Sequence, residues 1–432
     1  LILVYSHKLT QRLKYVFNVI FKDILKTELT FTSNIEEFED SDLPKINYST
    51  QKLNSGLYFQ SSQFLFETGI KEQNITINTY KDYPCFFSVG KDSTFPFDVF
   101  AASFYLVSRY EEYLPQIRDH HDRFTAKESL AFQNGFLKIP LVNIWANYIG
   151  SSITESFPDL KFPELKFKYT SSIDIDNAFA YKHKGFLRIV GGLLKSFLKG
   201  NDFKERLNVL LKKEQDPYDT FTYQFEIHKK HNVKPIYFFL LGDYALNDKN
   251  IPVKNKSFQS LIKSISDYYE VGIHPSYSSN NDVNILTKEI NRLQSITHRN
   301  INKSRQHFLK LSLPYTYRNL IDNDITHDYT MGYSGQAGFR ASICSPYKFY
   351  DLDNESPTDL TIHPFAVMEA TYKYYLEKKP EEALKDILEL MNSVKNVNGT
   401  FISVWHNESL SNNGIWNGWR MVYEEMLKEA TN

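Results

Sequence analysis

The sequence predicts an α/β protein in which a distorted (β/α) barrel of seven to eight strands follows a smaller α/β domain. Three observations carry this. From about residue 165 onward, short apolar segments of strand length alternate with helical stretches, the pattern of repeated β-α units and a parallel sheet. Seven or eight such strands in about 270 residues favour a barrel. The segment "ESFPDLKFPELKF" (155–167) holds two prolines and reads as a linker, dividing residues 1–160 from residues 165–432.

Taken in order, "ILVYS" (2–6) reads as a strand and residues 9–26 as an amphipathic helix. Polar, irregular sequence follows to about residue 60. "FPFDVFAASFYLVSRYEEYL" (95–114) predicts a helix, with Asp98 as N-cap and Phe100, Phe104 and Val107 near helical spacing. The apolar "FLKIPLVNIWANYIG" (136–150) completes this domain, which shows no catalytic cluster. His120 and His121 sit in the charged loop "RDHHDRF" and read as loop residues.

Beyond the linker, strands are predicted at 168–176, 234–242, 269–276, 304–312, 327–333, 338–344, 359–368 and 399–407. Helical stretches at 257–268 and 283–295 separate several of them. Residues 182–222 form a basic, amphipathic insertion interrupted by Gly191–Gly192. We expect a helical cap lying on the barrel, in preference to a helix on a membrane surface.

Composition bounds the function. Of 432 residues, 42% are apolar and 23% charged, enough for a large ordered core. Lys and Arg total 50 against 51 Asp and Glu, a balance that argues against nucleic acid as a partner. Cys85 and Cys344 are far apart, without metal-type spacing, which suits a reducing compartment. The apolar run in "LILVYSHKLTQ" is too short for a signal peptide or a membrane span, so the expectation is a cytoplasmic protein.

The chemistry gathers where parallel α/β folds place it, at the C-terminal ends of strands. "YTSSIDIDNAF" aims Asp174 and Asp176 at one face, because residues two apart in a strand point the same way. Two neighbouring carboxylates repel unless a positive group lies beside them, and a divalent metal is the common remedy. An Asp-x-Asp pair also serves as a turn or helix cap. His274 in "GIHPSY" ends another strand and offers an imidazole, an environment that suits zinc. If one Asp binds metal, the other is free to act as base on water. Arg305 and His307, His327 and Asp328, Arg340, His363 and His406 fall on further strands. His363 precedes a proline and reads as a packing residue.

This order of residues resembles the polysaccharide deacetylase family of carbohydrate esterases, over roughly residues 165–430. "SIDID" is similar to its acid pair, "HPSYS" keeps a first metal His as His274, "RQHF" supplies an Arg, and "SVWHN" supplies a strand-end His. The resemblance implies that Asp174 is the base held by Arg305, that Asp176 and His274 bind a divalent metal such as zinc, and that His406 is the general acid. The family's second metal His is replaced by Ser278; His307, or Ser278 through a water, then completes the metal set. A backbone N–H near Phe308 is expected at the oxyanion, Asp328 or His327 to tune His406, and Arg340, Trp405 and Asp328 to meet substrate. Residues 1–160 resemble the N-terminal extension of a bacterial subgroup. The implied activity is removal of an N-acetyl group from a sugar, a cell-surface polysaccharide or its precursor. The alternatives are a silent sugar-binding or scaffolding protein that kept the fold, and a hydrolase of another acyl group or C–N bond.

Overall fold

A computed structural model describes residues 1–199 and 202–432. The first part of the chain builds a four-stranded parallel sheet from β1 (Ile2–Tyr5), β2 (Leu29–Thr32), β3 (Lys45–Ser49) and β4 (Leu57–Gln60), in the order β2-β1-β3-β4. Every residue of β1 is buried, as its unbroken apolar run requires. Thr10 caps the next helix, its side chain accepting from the Leu13 amide. The predicted helix over 9–26 divides here into an α-helix at Gln11–Asn18 and a wider π-turn segment at Val19–Ile24. A small hairpin of β5 (Asn78–Tyr80) and β6 (Tyr83–Cys85) follows.

The predicted helix over 95–114 is shorter, Val99–Val107, and all nine of its residues are buried. Asp98 is its N-cap, accepting from the Ala101 amide, and it also accepts from Tyr48 Oη at 2.8 Å. The helix stops because Arg109 turns left-handed, and Tyr110–Tyr113 forms a 3₁₀ turn. A helix at Leu141–Ser156 closes this part of the chain.

The second sheet has nine strands: β7 (Lys168–Ile175), β8 (Ile236–Phe239), β9 (Glu270–Ile273), β10 (Lys303–Ser304), β11 (His327–Asp328), β12 (Tyr347–Asp351), β13 (Ser356–Ile362), β14 (Val367–Met368) and β15 (Thr400–His406). Their order is β12-β13-β11-β10-β9-β8-β7-β15-β14. All pairs are parallel except β12 with β13. The antiparallel β12 makes the sheet mixed, and among the described residues no ladder joins β12 to β14, the two ends of the strand order. Two predicted strands change character. Residues 304–312 keep only the end of β10, because a left-handed turn at Phe308 and Leu309 breaks the extension. Residues 338–344 form buried turns instead of a strand. The unforeseen β12 takes the edge.

The insertion carries helices at Phe186–Lys199 and Phe203–Leu210. It is not the expected cap with its apolar side on the sheet. Phe186, Leu187, Leu194, Phe197 and Leu198 all point away from the protein.

The two sheets share one continuous apolar core, in which Phe17, Phe100 and Trp145 belong with Ile173, Tyr237 and Trp405. A buried ion network pins the two parts together. Glu112 accepts from Arg109 Nε at 2.7 Å and from Arg340 Nε and Nη2 at 2.9 and 2.6 Å. Burial disfavours the Glu112 carboxylate, but Arg340 and Arg109 outweigh it and hold its pKa below the usual range. Removing one partner from such a network leaves an uncompensated buried charge. Glu112→Ala is expected to lower the unfolding free energy by about 3 kcal/mol or more, read from chemical denaturation.

Candidate metal and acid–base site

Strand alternation on β7 sets the site. Ile173 and Ile175 enter the core, while Ser172, Asp174 and Asp176 face the other way. Asp174 and Asp176 open into a cavity of about 560 Å³ at the strand ends, also lined by His274, His307, Phe308 and His406. Register places His406 on β15 directly beside Asp174 on β7.

Each carboxylate has its own compensation. Asp174 is buried and accepts from Arg305 Nη1 at 2.8 Å. Arg305 is itself locked: Nη2 donates to Ser172 Oγ at 2.8 Å, Nε donates to the Tyr329 carbonyl at 3.0 Å, and the guanidinium lies 4.6 Å over the Phe238 ring. Such a fixed, charged donor holds an acid in one orientation.

Asp176 faces two imidazoles. His274 Nε2 lies 3.2 Å from Asp176 Oδ1, and His307 Nε2 lies 3.4 Å from Asp176 Oδ2. Both rings are tethered through their other nitrogen. His274 Nδ1 donates to the Arg305 carbonyl, and His307 Nδ1 donates to Asp248 Oδ1 at 2.9 Å. Outer hydrogen bonds of this kind fix a ring's tautomer and direct the free nitrogen at a metal. The Nε2 atoms of His274 and His307 both face Asp176, an arrangement that suits a cation between them. Consistent with this, Asp176 Oδ1 is buried and accepts no hydrogen bond despite its nearness to His274.

One ligand atom from each of Asp176, His274 and His307 can be chosen so that all three lie within 4.8 Å of one another. Three N/O ligands with an open position are the donor set of a hydrolytic zinc site, and these residues fit such an ion. The charges agree. Burial works against ionisation of Asp176, but His307, His274 and His406 outweigh it and hold its pKa well below the usual carboxylate range. Burial likewise opposes protonation of His307, yet Asp176 and Asp248 push its imidazole up to about 9.

His406 is oriented by Glu369, a buried acid immediately after β14. Glu369 Oε1 accepts from both the His406 amide and Nδ1, each at 2.8 Å. Burial disfavours the imidazolium, but Glu369 overrides it and raises the His406 pKa well above the ordinary value. Glu408, also at the cavity, is pushed up to about 7 by burial.

The other expected site residues lie elsewhere. Trp405 adjoins His406 on one strand and so points to the opposite face, where it packs on Tyr423 at 4.9 Å. Arg340 is spent on Glu112 at the junction of the two sheets. Asp328 is buried with Ser304 and Thr330, not beside His406. None of the three lines the cavity. His327 pairs with His363, and His363 stacks on Tyr329, its pKa pushed down to about 3 by burial. Ser278 reaches Asp248 and not the metal-ligand cluster.

Asp248, Glu369 and Arg123 were not foreseen. Glu369 directly follows β14, so its strand-end position was the available signal, whereas Asp248 lies well beyond β8 in the loop before the helix Lys256–Tyr268, where no local pattern marks it. Arg123 comes from the first part of the chain, in the "DRF" of the His120–His121 loop. It enters the cavity wall, donating to the Phe308 carbonyl at 2.7 Å and to Tyr375 Oη at 3.3 Å.

Residues 2–158 match the model of a family of unknown function (DUF7033). No curated protein matches the chain. Among solved structures, a protein from Mycobacterium smegmatis provisionally assigned as a polysaccharide deacetylase is 13% identical, with 63% of this chain and 86% of that one covered and a TM-score of 0.41. The polysaccharide deacetylase of Bacillus cereus is 11% identical over 61% of this chain and 87% of that one, with a TM-score of 0.30. A pseudoenzyme of the CE4 family from Bacillus anthracis is 14% identical over 61% of this chain and 62% of that one, also at 0.30.

The site makes a direct expectation. Purified protein supplied with zinc should hold about one ion per chain. Asp176→Ala, His274→Ala and His307→Ala should each lose it, while Asp174→Asn should retain it, as read by elemental analysis after dialysis.

Proposed function

We propose that this protein is a metal-dependent deacetylase that removes an N-acetyl group from a sugar, a polysaccharide or its precursor. The observation that carries the reading is the arrangement around one cavity: a three-ligand cluster at Asp176, a base fixed by Arg305 and an imidazolium fixed by Glu369. Asp176, His274 and His307 would hold a divalent ion such as zinc, which would supply Lewis acidity toward an amide carbonyl and make a water easier to deprotonate.

The remaining steps belong to the chain's own groups. Asp174 takes the proton of the attacking water. Its bond to Arg305 leaves the second oxygen, Oδ2, on the side of His274, 3.9 Å from Nε2. The backbone N–H of Phe308 offers a donor to the oxyanion, from a residue held left-handed (φ 60°) at the cavity wall while Arg123 grips its carbonyl. His406, kept cationic by Glu369, gives its proton to the departing nitrogen as the C–N bond breaks. The amide and one water become acetate and a free amine.

The exposed rim residues Tyr374 and Tyr375 and the buried Trp416 offer aromatic faces to a sugar ring. The silent-protein alternative rested on Ser278 in place of a histidine. The approach of His307 to Asp176 favours the catalytic reading.

Two results test it. Asp174→Asn is expected to lower kcat on N-acetylated oligosaccharides by about 10²–10⁴-fold while leaving metal content unchanged; full activity in that variant would refute the assignment of the base. His406 must carry its proton to act as acid, so activity should fall as pH rises through its elevated pKa. Glu369→Gln removes the largest favourable cause of that elevation. The alkaline limb of the pH–rate profile should then move to lower pH by about one unit or more, with the acidic limb unmoved.

A further inference from the structure

The helix Phe186–Lys199 wears its apolar side outward. At 100° per residue, Phe186, Leu187, Val190, Gly191, Leu194, Phe197 and Leu198 fall on one broad arc, and all of them are exposed. Leu187, Leu198 and Phe186 are 84%, 83% and 78% exposed, far beyond single scattered surface residues. The inward side carries polar and small residues, with Ile189 and Leu193 half-buried at its edge. Arg188 donates to the Lys249 and Asn250 carbonyls at 2.7 and 2.9 Å, Gly192 lies against Arg206, and Ser196 is buried. The helix is thus held to the protein by its polar edge, and its apolar face is left for something else.

The charge around it names the occupant. Residues 182–213 carry nine Lys and Arg against two acidic residues, in a chain whose net charge is −1. Lys195, Lys204, Lys212 and Lys213 are exposed. Leu207 on the next helix and Leu211 just after it are exposed as well. The surface also reaches the cavity: Arg188 lies 4.3 Å over the ring of exposed Tyr244, and the neighbouring Leu246, 84% exposed, lines the cavity mouth. Fourteen residues make a helix about 21 Å long, short of a hydrocarbon core of about 30 Å. Among the described residues no helix is long and apolar enough to cross a membrane. A short helix with an exposed apolar face and a basic flank suits insertion along the plane of a bilayer interface.

We propose that the helix Phe186–Lys199 docks the protein on an anionic lipid surface and turns the cavity mouth toward it. The phenylalanines and leucines enter the headgroup and acyl boundary, and the lysines meet anionic headgroups. The inference rests on exposure and charge and is independent of the chemistry proposed for the cavity.

The experiment is flotation of the whole protein with vesicles of phosphatidylcholine, with and without phosphatidylglycerol, at low and high salt. Binding to the phosphatidylglycerol vesicles is expected, weaker by at least about tenfold on phosphatidylcholine alone and weakened by salt. The double variant Leu194→Glu/Phe197→Glu should lose at least about tenfold on anionic vesicles. Lys195→Glu/Lys204→Glu should lose binding to anionic vesicles and not to neutral ones. All four side chains are exposed or partly exposed, so circular dichroism and the thermal transition should match wild type and exclude misfolding as the cause. A wild-type protein that stays free of anionic vesicles, or variants that float as it does, would overturn the proposal. So would a dimer in sedimentation velocity that Leu194→Glu/Phe197→Glu dissociates without lipid, since the face would then seat a second copy.

Discussion

The constraint on which the site depends is the repulsion between two carboxylates aimed the same way from one strand end. Asp174 and Asp176 share a face because strand geometry leaves no choice, and a low-dielectric environment makes their joint charge costly. The surroundings answer each acid separately. Arg305 supplies a permanent charge to Asp174, and its own position is secured by Ser172, Tyr329 and the Phe238 ring. Asp176 receives two imidazoles whose outer nitrogens are already engaged. One acid is therefore paired with a fixed guanidinium, and the other faces two tethered imidazoles.

The same reasoning gives the first part of the chain a place in the site. Its sheet is separate, but its core is continuous with the second sheet, and Glu112 takes two arginines, one from each part. Anchored so, it delivers Arg123 to the Phe308 carbonyl at the cavity wall. Phe308 sits in a left-handed conformation that disfavours a side chain with a Cβ, and a persistent strained residue needs surroundings that hold it. The grip of Arg123 is one such restraint. An element without catalytic residues of its own thereby shapes the wall against which substrate would lie.

Opposite this rigid junction, the insertion between β7 and β8 is joined to the loop after β8 by polar contacts alone at Arg188. The apolar face of its first helix makes no use of the core. Amphipathic periodicity in the sequence was correctly legible as a helix, but periodicity only says that one face is apolar. It does not say toward what that face turns. The expectation of a cap assumed the sheet as partner, whereas Arg188, Gly192 and Ser196 give the helix a polar edge to attach by.

Local rules carried much of the site. Alternation placed Asp174 with Asp176 and set Ile173 and Ile175 in the core, and strand-end position singled out His274, Arg305, His307 and His406. The same alternation, applied to Trp405 beside His406, already argued against a shared face. Alternation puts Arg305 and His307 on one side, although the chain there leaves the strand for a turn. What the sequence by itself determined was which residue types stand at strand ends and which of them share a side, since those follow from bonds between near neighbours. Only the tertiary structure decided their partners: Glu369 for His406 in place of Asp328, Asp248 for His307, Glu112 for Arg340, and Arg123 at the cavity. Each of these pairings joins segments far apart in the chain, and their meeting depends on sheet order and register, which no short stretch of sequence encodes.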